Sequence, residues 1–180
     1  MRFRNIIWCA GLALVGCAGH VDQAPEQKTI RAFYMKKLTV NLSESVEAIP
    51  GSKQFASESK LSKDFAYSIH KHLVEEGLYA SKPGPNVGEL DITIDYLRRY
   101  KMGGRALSRP LVSHQVVVSQ GNQTLAKLVQ NNYTPLYGYF KAVYVNIERA
   151  IHQWDEKDEH VDADNISESL VEDLEEKFDL

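Results

Sequence analysis

Cysteine is scarce in this 180-residue sequence and lies only near its start, as Cys9 and Cys17. Residues 18–180 therefore have no thiol and form no internal disulfide. Their fold must be held by packing. The 164 residues from Cys17 onwards are enough for one domain, because a chain of this size buries about 70% of its unfolded surface.

A hydrophobic run long enough to cross a membrane is missing at the N-terminus. The apolar stretch from residue 6 to residue 18 has 13 residues, whereas a spanning helix needs about 20. Arg2 and Arg4 precede it, and the small residue Gly16 stands directly before Cys17. This order is typical of a secretory signal segment rather than of a transmembrane or buried core helix.

The tetrapeptide Leu14-Val15-Gly16-Cys17 resembles the lipobox of bacterial lipoprotein precursors. The resemblance implies cleavage before Cys17, a diacylglyceryl group on its sulfur, and a fatty acid such as palmitate on the new amino terminus. Several acyl chains together hold a protein durably to a bilayer, which one chain does not. Because Ala18 rather than an Asp follows the cysteine, the resemblance also implies an outer-membrane protein facing the periplasm.

Three segments follow from this interpretation. Residues 1–16 are the predicted signal peptide, and residues 17–28 are a polar stretch with Pro25, which we expect to be a flexible tether. Residues 29–180 are predicted to be a single periplasmic α+β domain.

Alternation of apolar and polar residues predicts four strands in this domain. The first lies within residues 29–42 and the second covers residues 90–96. The last two, over residues 111–119 and 124–130, are separated by Gly121-Asn122, which is typical of a short hairpin turn.

Helical periodicity predicts three helices. The first is capped by Ser62 and ends at Gly77, a residue that fits the left-handed position after a helix. A long second helix is predicted over residues 137–154, and a third begins at Asn165 with a capping box. The acidic residues 155–164 between them are predicted to be a solvated linker.

The resulting order is strand-helix-strand-strand-strand-helix-helix. A crossover helix between the first two strands makes them parallel, and the remaining strands form an antiparallel meander. We therefore predict an α+β fold with a mixed four-stranded sheet and helices packed on one face.

This layout, with Gly103-Gly104-Arg105-Ala106-Leu107 in the meander, resembles a group of small outer-membrane lipoproteins. The group includes the lipopolysaccharide-assembly lipoprotein. The resemblance implies a non-enzymatic binding or assembly role. The extended acidic C-terminus is a departure from the group.

Charge is strongly segregated along the chain. Residues 96–147 contain no acid and seven Lys or Arg, whereas residues 148–180 contain 13 acids and three Lys or Arg. We predict that the basic turn, residues 98–109, binds an anionic glycolipid or an acidic envelope protein, since arginine grips phosphate or carboxylate with paired hydrogen bonds. The predicted contact residues are Arg98, Arg99, Lys101, Arg105 and Arg109, with Tyr96 and Tyr100 for stacking or sugar contacts.

The basic turn has an alternative interpretation, in which its charge balances the acidic C-terminal helices of the same fold. The protein would then be a purely structural lipoprotein. The expected partners are the membrane, through acylated Cys17, and an envelope protein or an anionic glycolipid. Nucleic acid is not expected in this compartment.

Catalytic and metal-binding motifs are missing from the sequence. His70 and His72 are two residues apart and do not share a helix face, and neighbouring residues Ser113 and His114 point to opposite sides of a strand. The acidic residues 155–164 lack the Gly and distal Glu of a calcium loop. We therefore predict no enzyme, metal or cofactor. The alternative is an envelope hydrolase, which a pocket holding His114, an acid and a hydroxyl would favour.

Overall fold

The computed structural model describes residues 29–45, 55–101, 106–135 and 156–180. The predicted signal peptide, Cys17, the predicted tether, Arg105 and the helix predicted over residues 137–154 lie outside these ranges. The described elements are β1 (Ala32–Glu44), α1 (Glu58–Glu75), β2 (Val87–Arg98), β3 (Tyr100–Lys101), β4 (Ala106–Leu107), β5 (Leu111–Gln120), β6 (Gln123–Tyr133) and α2 (Glu156–Phe178).

Four strands form one mixed sheet in the order β1-β2-β5-β6. β1 and β2 are parallel, with Ala32 beside Val87 and Glu44 beside Arg98. β5 and β6 add antiparallel, and the turn between them falls at Gly121-Asn122. The predicted α+β class, the mixed sheet and the parallel first pair are confirmed.

β3 and β4 form a separate antiparallel ribbon in which Tyr100 pairs with Leu107. The sequence indicates a turn here but not the ribbon. The ribbon follows directly on β2, so it lies at the end of the sheet opposite to Ala32. Because β2 has 12 residues, the two ends of the sheet are about 40 Å apart.

α1 begins five residues earlier than predicted, at Glu58. Ser57, not Ser62, is its N-cap, and its Oγ accepts a hydrogen bond from the Lys60 amide at 3.2 Å. The earlier start adds Leu61, which is fully buried, to the apolar stripe of the helix. The burial of Leu61 within the helix therefore favours Ser57 over Ser62 as the N-cap.

The predicted end of α1 at Gly77 is confirmed. Gly77 has a φ of 72°, and its amide donates to the Val74 carbonyl at 3.1 Å while the Leu78 amide donates to the Leu73 carbonyl at 2.7 Å. These are the two bonds of a Schellman ending. Leu73 and Leu78 are both buried, which supplies the accompanying apolar contact.

α2 corrects two predictions. The acidic residues 155–164 are not a linker, because the helix is continuous from Glu156 to Phe178. Asn165 is consequently not a cap but an interior residue, whose Nδ2 donates to the Val161 carbonyl at 2.6 Å. The acidic segment is helical because several of its carboxylates have partners in the rest of the fold, as described below.

The core lies between the helices and one face of the sheet. Its largest fully buried side chains include Phe33, Phe65 and Tyr96. Gly88 marks a close approach, since a Cβ there would lie 2.9 Å from side-chain atoms of Phe33 and Val118. In the described part of the chain, no helix combines the length and hydrophobicity needed to cross a membrane.

Candidate functional site

The basic turn has a buried part and an outer part, which meet at the end of β2. Buried residues alternate along this strand, and because strand side chains alternate between faces, Tyr96 and Arg98 both point to the helices. Tyr96 is 1% exposed and Arg98 is 4% exposed. The prediction that these two residues contact a partner is therefore wrong.

Arg98 is held by two carboxylates and a backbone carbonyl. Its Nε and Nη2 donate to Glu159 at 2.8 and 3.0 Å, and its Nη1 donates to Glu44 at 2.5 Å. Nη2 also donates to the Ala56 carbonyl at 2.5 Å, while the Ala56 amide donates to Glu159 at 2.7 Å. The Phe55 ring lies 5.5 Å from the guanidinium carbon. One side chain thus joins β1, β2, the start of α1 and α2.

The charges of this cluster depend on one another. Burial alone lowers the pKa of Arg98, but hydrogen bonds and attraction from Glu159 and Glu44 outweigh burial and hold that pKa above its ordinary value. Burial raises the pKa of Glu159, and the Arg98 guanidinium and the Ala56 amide oppose this rise. Because the Glu159 side chain is 0% exposed, removal of Arg98 leaves an unpaired charge in the interior.

The two tyrosines of the predicted contact set serve the fold. The Tyr96 hydroxyl donates to Asp162 at 2.9 Å, which ties β2 to the first half of α2. Tyr100 packs on Phe55 with ring centroids 5.5 Å apart, and burial raises the pKa of its hydroxyl. Tyr100 therefore belongs to a small apolar cluster beside the ribbon, and only part of its surface is accessible.

Arg99 and Arg109 form the outer part of the basic turn. The Arg99 Nε donates to the Arg109 carbonyl at 2.9 Å, a bond to the backbone rather than to a carboxylate. Both residues are half-buried. Lys101 belongs to β3, and Arg105 lies outside the described residues, so a contact role for these two stays a prediction.

A second charged cluster lies between α1 and α2. Asp164 accepts from Lys71 Nζ and lies by His72 Nε2, each at 3.0 Å. Burial alone raises the pKa of Asp164, but Lys71 and His72 outweigh it and lower that pKa below 3.8. Across residues 29–45, 55–101, 106–135 and 156–180, no three His, Cys, Asp or Glu are arranged to hold a metal ion.

A cavity of about 550 Å³ opens between β6 and the second half of α2. His114 lies in its wall, with Nδ1 2.8 Å from the Tyr133 hydroxyl and Nε2 3.9 Å from an Asp173 carboxylate oxygen. His114 and Asp173 thus line the cavity, and the Tyr133 hydroxyl contacts His114 beside it, so a histidine, an acid and a hydroxyl, the groups that would favour a hydrolase, are close together. Its rim carries Lys127 and Lys177 as well.

The chemistry of this cavity is incomplete. Burial lowers the pKa of His114, which favours the neutral ring. Burial also raises the pKa of Tyr133, which makes its hydroxyl a poorer nucleophile. A separation of 3.9 Å is too long for a hydrogen bond to Asp173. Ser113 is turned to the other face, where its Oγ accepts from the Asn132 amide. The described residues of the cavity supply a base without an activated nucleophile.

Sequence reasoning missed the acids that bond Arg98 and Tyr96, namely Glu44 and Glu159 for Arg98 and Asp162 for Tyr96. A signal was available for two of them. Glu159, Asp162 and Ile166 are separated by three and four residues, so the helical stripe of α2 extends into the acidic segment. Treating the acids of this stripe as possible inward residues opposite Arg98 would have revealed the pairing. Glu44 has no such local signal.

Comparisons with known proteins give little. No family model matches the chain, and no curated protein matches it. Among solved structures, the crystal structure of protein XCC0632 from Xanthomonas campestris, of the family DUF330, matches 83% of this chain and 94% of its own, at 15% identity and a TM-score of 0.28. A similarity of this size supports no assignment.

Proposed function

We propose that this protein is a lipid-anchored accessory or assembly factor of the outer membrane, which faces the periplasm and acts by binding. The lipobox at Cys17 supports the anchor. The partner is an anionic glycolipid or an acidic envelope protein, and the outer part of the basic turn is its contact surface.

The observation that carries the proposal is the division of the basic turn. Arg98 is neutralised by Glu44 and Glu159, which fixes the turn to α2. Arg99, the next residue, bonds a backbone carbonyl instead and forms no ion pair with an acid among the described residues, which leaves its charge for a ligand. A rigidly mounted guanidinium binds phosphate or carboxylate with a smaller loss of conformational entropy than a mobile one.

The binding proposal is tested by removing charge from the outer part of the turn alone. In the Arg99→Ser/Arg109→Ser double variant, we expect loss of the partners that crosslink to the wild-type protein in membranes, as identified by mass spectrometry. The matched control is Lys37→Ser/Lys63→Ser, which removes the same charge from exposed positions elsewhere. An unchanged set of crosslinked partners in the first variant would make the binding proposal wrong.

The anchor is tested separately by the intact mass of the protein from native membranes. We expect a chain that begins at Cys17 and carries a diacylglyceryl group and an amide-linked fatty acid. A chain that retains Met1, or a Cys17 without fatty acid, would contradict the anchor and the assigned location together.

The cavity around His114 favours a second candidate function, an envelope hydrolase. Activity of the wild-type protein against cell-wall substrates, together with its loss in a folded His114→Gln variant, would establish that function and refute a purely non-enzymatic role. We expect neither, because the cavity's described residues supply no activated nucleophile. Ser119→Ala, on the same strand but the other face, is the matched control.

A further inference from the structure

The described body begins beside the loop that follows α1. The Arg31 amide donates to the Asn86 carbonyl at 2.9 Å, and the Phe33 amide donates to the Leu78 carbonyl at 2.6 Å. The Ala80 amide returns a bond to the Phe33 carbonyl at 2.8 Å. Residues 78–80 are therefore fixed on the outer edge of β1, where the tether joins the domain.

An exposed aromatic strip leads along α1 to this point. Tyr67 is 65% exposed, Val74 is 49% exposed and Tyr79 is 40% exposed. Tyr67 and Val74 are seven residues apart and share a helix face, with His70 between them, and the His70 ring lies 4.5 Å from that of Tyr79. Single exposed apolar residues need no explanation, but this continuous strip holds three of the five large exposed hydrophobic residues in the described ranges.

Charge differs between the two sides of α1. Beside the aromatic strip, Arg31 and Lys82 are exposed on the two segments that meet at the edge of β1. The opposite side of α1 faces α2 and borders a groove whose lining is mostly acidic: it holds Lys71 and His72, which pair with Asp164, and in addition Glu75, Glu76, Glu168, Glu172 and Glu175. A surface of anionic headgroups attracts the first side and repels the second.

We infer that the tether flank, formed by Tyr67, Val74, Tyr79, Arg31 and Lys82, lies on the phospholipid surface to which Cys17 is bound. This inference rests on the lipid anchor proposed above. Tyrosine suits the membrane interface because it has an apolar ring and a polar tip. An acyl anchor combined with nearby cations is also a stronger attachment than the anchor alone.

The length of the tether brings this flank to the membrane. Residues 17–28 are 12 residues, which span about 40 Å when fully extended and about 20 Å as a flexible coil. The bilayer is therefore always within reach, and the surface nearest to the tether meets it first. The basic turn lies at the opposite end of the sheet, about 40 Å away, so its partner approaches from the periplasm.

Two serine-to-cysteine variants test the orientation. Ser81 lies beside the tether flank and Ser43 lies near the other end of β1, and both are exposed. Acylation of Cys17 leaves the introduced cysteine as the one free thiol, which is labelled with a fluorophore. Each full-length lipidated variant is placed in vesicles of phosphatidylethanolamine and phosphatidylglycerol, and quenching by nitroxide-labelled lipid is measured against quenching by aqueous iodide.

We expect the label at Ser81→Cys to be quenched several-fold more by lipid nitroxide than the label at Ser43→Cys, and to be protected from iodide. In Ser81→Cys with Arg31→Glu and Lys82→Glu, the lipid quenching should fall towards that of Ser43→Cys. Equal quenching of both labels in protein that remains on the vesicles would overturn the tether flank and leave the anchor intact.

Two further outcomes would also refute the inference. Protein that does not stay with the vesicles, or that is labelled at Cys17, would remove the anchor and the inference with it. A label at Ser81→Cys that is protected from iodide in detergent as well would overturn the inference, because a second copy of the chain or another part of it would then cover the flank.

Discussion

The two halves of α2 are held to the protein by different forces. In the first half, Glu159 bonds Arg98, Asp162 bonds Tyr96 and Asp164 bonds Lys71. In the second half, after Ser167, the packing is apolar and comes from Leu170, Val171, Leu174 and Phe178, whose ring packs on Phe33 at 5.6 Å.

The difference shows how an acidic sequence becomes a packed helix. Each carboxylate in the first half loses its hydrating water on burial, and only the hydrogen bond from its own partner offsets that loss. The stability of the first half is therefore sensitive to single substitutions. The second half loses stability in proportion to the apolar volume removed. The stability of the first half therefore depends on paired charges, and that of the second half on buried apolar volume. The variants below separate the two effects.

The largest effect is expected from Arg98→Met. Loss of the guanidinium leaves Glu159 buried without a counter-charge, and we expect the free energy of unfolding in urea to fall by about 3–5 kcal/mol. The double variant Arg98→Met/Glu159→Met removes both charges and should recover most of this loss, since apolar replacement of a buried pair is often neutral. Equal destabilisation in single and double variants would show that packing, not pairing, holds the first half.

Leu174→Ala probes the second half. Leu174 is fully buried, and deletion of its side chain should lower the free energy of unfolding by about 3 kcal/mol through lost burial and the cavity left behind. The loss should be the same at pH 4 and pH 7, in contrast to variants in the first half. Glu176→Ala, at an exposed position of the same helix, is the control and should change stability by less than about 0.5 kcal/mol.

The sequence was sufficient to predict the elements in which local sequence patterns agree with the pattern of burial. Alternation in β2 and the glycine at the end of α1 each have one physical interpretation, and both predictions are confirmed. It was insufficient for α2, because the acids of residues 155–164 are unfavourable in a core until their partners are known. Arg98 presents the same problem on the sheet. A basic residue at the end of a strand is expected to be exposed until its buried partner Glu159, 61 residues away, is known.

Asp164→Asn should have a smaller and pH-dependent effect. The pKa of Asp164 is lowered in the folded state, so its ionised form stabilises the fold above the unfolded value of 3.8, and this stabilisation is lost as pH falls through the folded pKa. We expect the variant to be less stable by about 1–2 kcal/mol at pH 7, with the difference shrinking below pH 3.8. Urea unfolding at several pH values measures it, and a difference independent of pH would contradict the assignment.

The smallest effect is expected from salt. The Lys71 side chain is 35% exposed where it pairs with Asp164, so screening in 1 M salt, where the Debye length is about 3 Å, should remove less than about 1 kcal/mol. Lys71→Ala should lose stability by a similar amount in low salt and show little further loss on salt addition.

The buried Arg98–Glu159 pair is shielded from ions, so the helical circular dichroism signal should persist in high salt. If that signal fell with rising salt in wild-type protein, exposed attraction between the basic and acidic parts would be what holds α2, and the purely structural interpretation of the basic turn would replace the binding one.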